Sequence, residues 1–247
     1  MADWRDRRSV MVALAVSAGL IWTTMSGDLF AGFQSPFPYS RALAASLSDL
    51  VAMLLLVAAA SGTPPSQLLG LTGVFASPAK PAIWAATLFL PAVLLCLFAA
   101  KAAGGVGTAD LLWKGIAGPA FEEIVYRGLA VGALVRLAGW RLIPACLLPA
   151  MFFGAAHAYQ GADLAETAGA VAITGIGGLF FGWLFWRWNW NLWPAIFLHA
   201  GLNLLWMLFA LGDTAVGGWL GNGMRLAVVV GAVLLTLRMV PKGGKTA

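Results

Sequence analysis

The chain has 247 residues, 61% of them hydrophobic and only 10% charged, with a formal net charge of +5. A mean hydropathy of +0.86 excludes a soluble globular domain of this size. The positive balance suits an anionic inner leaflet, and no basic, aromatic-interleaved soluble face is present to hold nucleic acid.

Apolar stretches of about 20 residues, enough to cross a ~30 Å hydrocarbon core, predict eight spans in one all-α membrane domain covering 1–247. The first, Val10–Met25, follows Arg7 and Arg8 and could be mistaken for a secretory signal, but seven further spans favour an uncleaved anchor. The second, Ala42–Ser61, carries Asp49, read as a span-end acid facing water. The connection Ser61–Pro81 contains Pro64, Pro65, Pro78 and Pro81, which disfavour regular helix. The third span is Ala82–Ala100, and the fourth, Asp110–Val135, is longer than a simple crossing needs.

That fourth span holds FEEIVYRG, Phe121 to Gly128. Glu123 and Arg127 are four residues apart, so they are neighbours on a helix face and can neutralise each other. Glu122 is rotated about 100° from Glu123 and lacks that partner, which suits a general base or acid. A structural ion-pair network bracing the helices is the plainer alternative.

The fifth span, Leu142–Tyr159, ends in FGAAH, where Phe153 and His157 stack one turn apart. In the sixth, Thr167–Trp186, Gly178 and Gly182 form a small-xxx-small pair suited to close helix packing. The run FWRWNWNLW, Phe185 to Trp193, mixes tryptophans with Arg187 and reads as an interfacial anchor. The seventh span, Leu192–Leu211, carries HAGLN, with His199 and Asn203 on one helical face; the eighth is Met224–Val240. The chain's only two histidines therefore both lie in apolar spans, where ionisable groups are costly and mark a functional site by default.

Counting basic residues near span ends places Arg5, Arg7, Arg8, Lys80, Arg136, Arg141, Arg187, Arg238, Lys242 and Lys245 on one side. Arg41, Lys101, Lys114 and Arg225 fall on the other, so both termini are expected in the cytoplasm. Depth poses a difficulty: Glu122 and His199 fall near mid-membrane, whereas His157 lies roughly 10 Å outward of its span's centre. Cys96 and Cys146 have no CxxC spacing, so neither a disulfide framework nor a cysteine zinc site is indicated. No GxSG is present, and Leu211-Gly212-Asp213 lacks the first glycine of GxGD.

EExxxR, FxxxH and HxxxN, in this order on successive spans, resemble the CPBP family of intramembrane proteases, which includes the CAAX prenyl proteases and bacteriocin-immunity relatives. The motifs cover Phe121 to Asn203, with a core of about 110–211, and the passage GWLFWRWNWNLWPAIFLHAGLN is also similar. The resemblance implies peptide-bond hydrolysis by an activated water, with Glu122, Glu123, Arg127, His157, His199 and Asn203 as the site. Glu122 and His157 would deprotonate the water, His199 and Asn203 would donate to the oxyanion, and Arg127 would hold Glu123.

Zinc is a possible cofactor on this resemblance, with Glu122, His157 and His199 as the ligand set. The absence of HExxH and the pairing of Glu123 with Arg127 favour a metal-free mechanism. The expected substrate is a membrane or lipidated protein cut near its C-terminus or within its membrane segment, and the expected location is a prokaryotic inner membrane. The rival readings are a non-catalytic immunity or regulatory module using the same polar cavity, and a proton-coupled transporter. The latter would gain if Asp49 or Lys114 lined a continuous path.

Overall fold

The computed structural model describes residues 4–33, 35–212 and 216–240, with side chains from residue 7 onward. The side chain of Arg5, and Lys242, Lys245 and Asp213 altogether, therefore fall outside what is described. Among the described residues the chain is helical, with one isolated antiparallel bridge between Ala102 and Phe209 and no strand. In a hydrocarbon solvent each backbone N–H and C=O must be satisfied inside its own segment, so long apolar runs fold as helices.

We label them α1 (Trp4–Leu29), α2 (Ser40–Ser61), α3 (Pro65–Leu71), α4 (Ala79–Ala99), α5 (residues 108–136), α6 (Leu142–Ala155), α7 (Leu164–Arg187), α8 (Trp193–Leu208) and α9 (Trp219–Met239). Among the described residues, six helices are long and apolar enough to cross a membrane: α1, α2, α4, α6 with the turn after it, α7 and α9. Of the eight expected spans, the two outside this set, α5 and α8, both carry site residues. α8 has only 16 residues, and α5 is not one regular helix. In α5, π-helical turns over Trp113–Ala117 and Glu123–Val131 interrupt three short α segments. Such wide turns cluster where side chains must be re-aimed for function.

Apolar groups face outward as well as inward. Leu90, Ile143 and Ile176 are each more than 60% exposed, an arrangement that water would penalise and lipid would not. Beneath this surface Val12, Val16, Leu20, Met53 and Leu134 pack α1, α2 and α5 together. A second core joins α4, α7, α8 and α9 through Trp84, Leu184, Leu198 and Val228.

Four expectations change here. The proline-rich connection contains the short helix α3, because Pro65 sits in its first turn, where a missing N–H costs nothing. Asp49 is not at a span end: it lies in the middle of α2, half-buried, and its Oδ1 has no hydrogen-bond partner. The tryptophan run is mainly a packing element. Trp188 is buried, meets Trp84 edge-on at 5.9 Å and donates its Nε1–H to Thr236. Trp193 donates to the carbonyls of Val74 and Ala76, and only Trp186 is left exposed. The sixth span also starts earlier than expected, because Asp163 accepts from Glu166 N and Glu166 accepts from Ala162 N, capping α7 at Leu164.

The small residues do what their spacing suggests. A Cβ on Gly178 would lie 3.1 Å from Ala150 Cα, and one on Gly182 would lie 2.6 Å from Cys146 Sγ. Gly154 in turn faces the carbonyl of Val171 and the backbone of Gly175. These gaps let α6 and α7 approach backbone to backbone, which brings the site residues of α5 and α6 into register with α8. The two cysteines are free and buried.

Candidate active site

At the start of the second π segment, Glu123 is fully buried and Arg127, one turn on, is 1% exposed. Arg127 Nη1 donates to Glu123 Oε1 at 2.8 Å, as the four-residue spacing predicts. The same oxygen receives His199 Nδ1 of α8, also at 2.8 Å. A buried carboxylate is stable only when compensated, and here a guanidinium and an imidazole N–H share one oxygen. Glu123 Oε2 and Arg127 Nη2 are buried without hydrogen-bond partners. The guanidinium is instead enclosed by aromatic faces, 4.4 Å above the Phe153 ring and 5.1 Å from that of Phe181.

The imidazole of His199 is held on both sides. Phe181 stacks on it at 5.4 Å with an interplanar angle of 19°, and Phe153 meets it edge-on at 6.0 Å. With Nδ1–H committed to Glu123, Nε2 points at Glu122 Oε2, 3.7 Å away. That distance is too long for a direct hydrogen bond. Glu122 lies one residue from the buried Glu123, yet its side chain is 39% exposed. The two adjacent carboxylates have thus been separated into an internal orienting group and a cavity-facing one.

His157 sits just past the end of α6, where the helix has stopped at Ala155. Its ring lies 4.6 Å from that of Phe153, and Nδ1 is 2.7 Å from the Phe153 carbonyl. A carbonyl only accepts, so Nδ1 carries the proton and Nε2 is left with its lone pair. Asn203, one turn after His199, donates Nδ2–H to the Lys114 carbonyl at 2.9 Å. That carbonyl belongs to the first π turn, and Asn203 keeps one further N–H.

These groups converge. A cavity of about 740 Å³ is lined by Glu122, Phe153, His157, Phe181, His199 and Asn203, and toward its mouth by Lys114, Tyr159, Gln160, Trp206 and Arg225. Its walls are more apolar than polar, and Glu122, His157, His199 and Asn203 are among the polar groups that line it. The depth difficulty resolves once helix ends rather than span centres are compared. From the turn that joins Arg136 to Arg141, Glu122 on α5 and His157 beyond α6 each lie roughly 20 Å along.

Of the six sequence-predicted residues, Glu122, His157, His199 and Asn203 line the cavity, while Glu123 and Arg127 stand behind it. Phe181 carries no motif signature, and its stacking on His199 was not visible in the sequence. The same holds for the Lys114 carbonyl, a backbone group exposed by π geometry. Among the described residues no three of His, Cys, Asp and Glu are grouped to hold a metal ion.

Residues 104–205 match a family model described as Type II CAAX prenyl endopeptidase Rce1-like. Neither a curated protein nor a solved structure matches the chain.

Proposed function

Taking residues 104–205 as an Rce1-like type II CAAX endopeptidase segment, we propose that this chain is an eight-crossing intramembrane endopeptidase working through Glu122, His157, His199 and Asn203. The six long apolar helices and the match over residues 104–205 support an integral membrane protein of the CAAX protease type. α5 and α8 would supply the remaining two crossings, and both termini would lie in the cytoplasm.

The observation that carries the reading is the chain of contacts Arg127–Glu123–His199–Glu122, which ends at a carboxylate open to the cavity. Glu122 accepts a proton from a water held between it and His157 Nε2. The resulting hydroxide adds to the substrate carbonyl carbon, and the carbonyl π electrons move to oxygen. The remaining Asn203 N–H, together with His199 when its Nε2 is protonated, donates to that oxyanion. Collapse breaks the C–N bond, and Glu122 returns its proton to the leaving amine. Glu123 fixes the orientation of His199 as a buried carboxylate does in a catalytic triad, and Arg127 holds Glu123.

A metal-free reading is supported by Glu123, which Arg127 and His199 hold as an orienting group and so keep from serving as the base beside a metal bound by Glu122. Phe153 lies tilted against His157 and edge-on to His199, and His199 Nδ1 is already committed to Glu123. Substrates would be membrane or lipidated proteins cut near the C-terminus or within a membrane segment. Transport is the less supported reading, since Lys114 lines the cavity but Asp49 does not.

The test is cleavage of an internally quenched farnesylated CAAX peptide by the purified protein in detergent. Glu122→Gln, His157→Ala and His199→Ala are each expected to lose at least about 10²-fold in kcat/KM. Undiminished turnover by any one of them overturns the assignment.

A further inference from the structure

The two ends of the bundle differ in charge and in access. At one end hydrogen bonds tie the helix termini together: Arg8 to Thr63, Ser9 to the Ala138 carbonyl, Arg136 to the Leu71 carbonyl, Lys80 to the Met239 carbonyl, and Arg187 to the Val240 carbonyl. With Arg7, Arg141 and Arg238, this end holds seven basic side chains among the described ones. The opposite end has four basic residues, Arg41, Lys101, Lys114 and Arg225, balanced by Asp28, Asp110, Asp163 and Glu166. Basic residues near span ends stay in the cytoplasm, so the first end is the cytoplasmic one.

The cavity opens at the other end. Its rim residues come from the loops and helix termini there: Tyr159, which is 80% exposed, with Gln160, Gly212 and Arg225. Toward the basic end the floor is closed. Phe185 and Leu192 are fully buried and Ile196 is 5% exposed, forming a packed apolar plug. Trp193, hydrogen-bonded to the Val74 and Ala76 carbonyls, fastens the α3 connection over that plug.

We infer that the site is served from the non-cytoplasmic face: its substrates are proteins whose cleavable segment lies outside the cytoplasm, in or beside the outer leaflet. The substrate class rests on the protease reading, but the direction of access does not. A peptide reaching Glu122 from the cytoplasm would have to displace the plug, whereas one from the far side meets an open mouth.

Direction of access is tested by single cysteines and a membrane-impermeant maleimide on right-side-out cells expressing the full chain. Cys96 and Cys146 are buried, so the unaltered protein supplies the unlabelled background. Tyr159→Cys and Gln160→Cys are expected to label in intact cells, and Arg141→Cys only after lysis. Two mouth positions guard against one variant misfolding. Labelling of Arg141→Cys in intact cells, with both mouth positions protected until lysis, overturns the inference whether or not the protein is a protease. The substrate class is read by terminal-peptide mass spectrometry of membranes from cells with the natural chain or Glu122→Gln. Cut sites that depend on Glu122 are expected outside the cytoplasm, and such sites in cytoplasmic tails overturn it.

Discussion

Replacing Arg127 with methionine removes the charge that compensates a fully buried carboxylate while keeping most of the side-chain volume. Glu123 is 0% exposed and Arg127 is 1% exposed, so water cannot screen the loss. The surviving partner of Glu123 would be His199 alone, through the oxygen that both now share at 2.8 Å. Breaking a buried pair from one side costs about 3–5 kcal/mol. For a chain of this size that corresponds to a fall in Tm of roughly 6–20 °C, readable as thermal unfolding in detergent. The double variant Arg127→Met, Glu123→Gln removes both charges and is expected to recover at least half of that loss, since a neutral pair needs no compensation. Cleavage should not recover with it, because His199 Nδ1 would face an amide instead of a carboxylate. An unchanged Tm in Arg127→Met, or a double variant no more stable than the single one, would refute the buried-pair argument.

Three further outcomes are expected. Gly178→Val puts a branched side chain 3.0–3.2 Å from Ala150 and Arg127 Nη2, so overpacking should cost about 1–3 kcal/mol in unfolding and lower kcat; a neutral effect on both would mean that α6 and α7 are not in contact there. Asn203→Ala should reduce kcat by roughly 10²-fold with KM little changed if its remaining N–H meets the oxyanion, and a rise in KM alone would make Asn203 a binding group. Protein purified without chelator should contain no stoichiometric zinc and keep its activity in 1,10-phenanthroline. One zinc per chain, lost in both His157→Ala and His199→Ala, would replace the metal-free mechanism.

The amino-acid sequence by itself determined the helices and the local pairs. Apolar runs in lipid must be helical, and a four-residue spacing forces Glu123 and Arg127 onto one face, just as FxxxH forces Phe153 and His157 together. It also separated Glu122 from its neighbour, since adjacent residues cannot share a helical face. What lies between helices was decided only by tertiary packing. Glu123 and His199 are 76 residues apart, and no periodicity states which imidazole nitrogen meets which carboxylate. That depends on Gly178, Gly182 and Gly154 letting α6 and α7 close up, and on Phe181 stacking on the ring. The depth of His157 was misread for a related reason: span centres are a poor ruler when α5 contains π turns and α6 stops at the cavity. The tryptophan run shows the same limit. An interfacial anchor and a buried brace have one composition, and only the placement of Trp84, Thr236 and the α3 connection made Trp188 and Trp193 parts of the core.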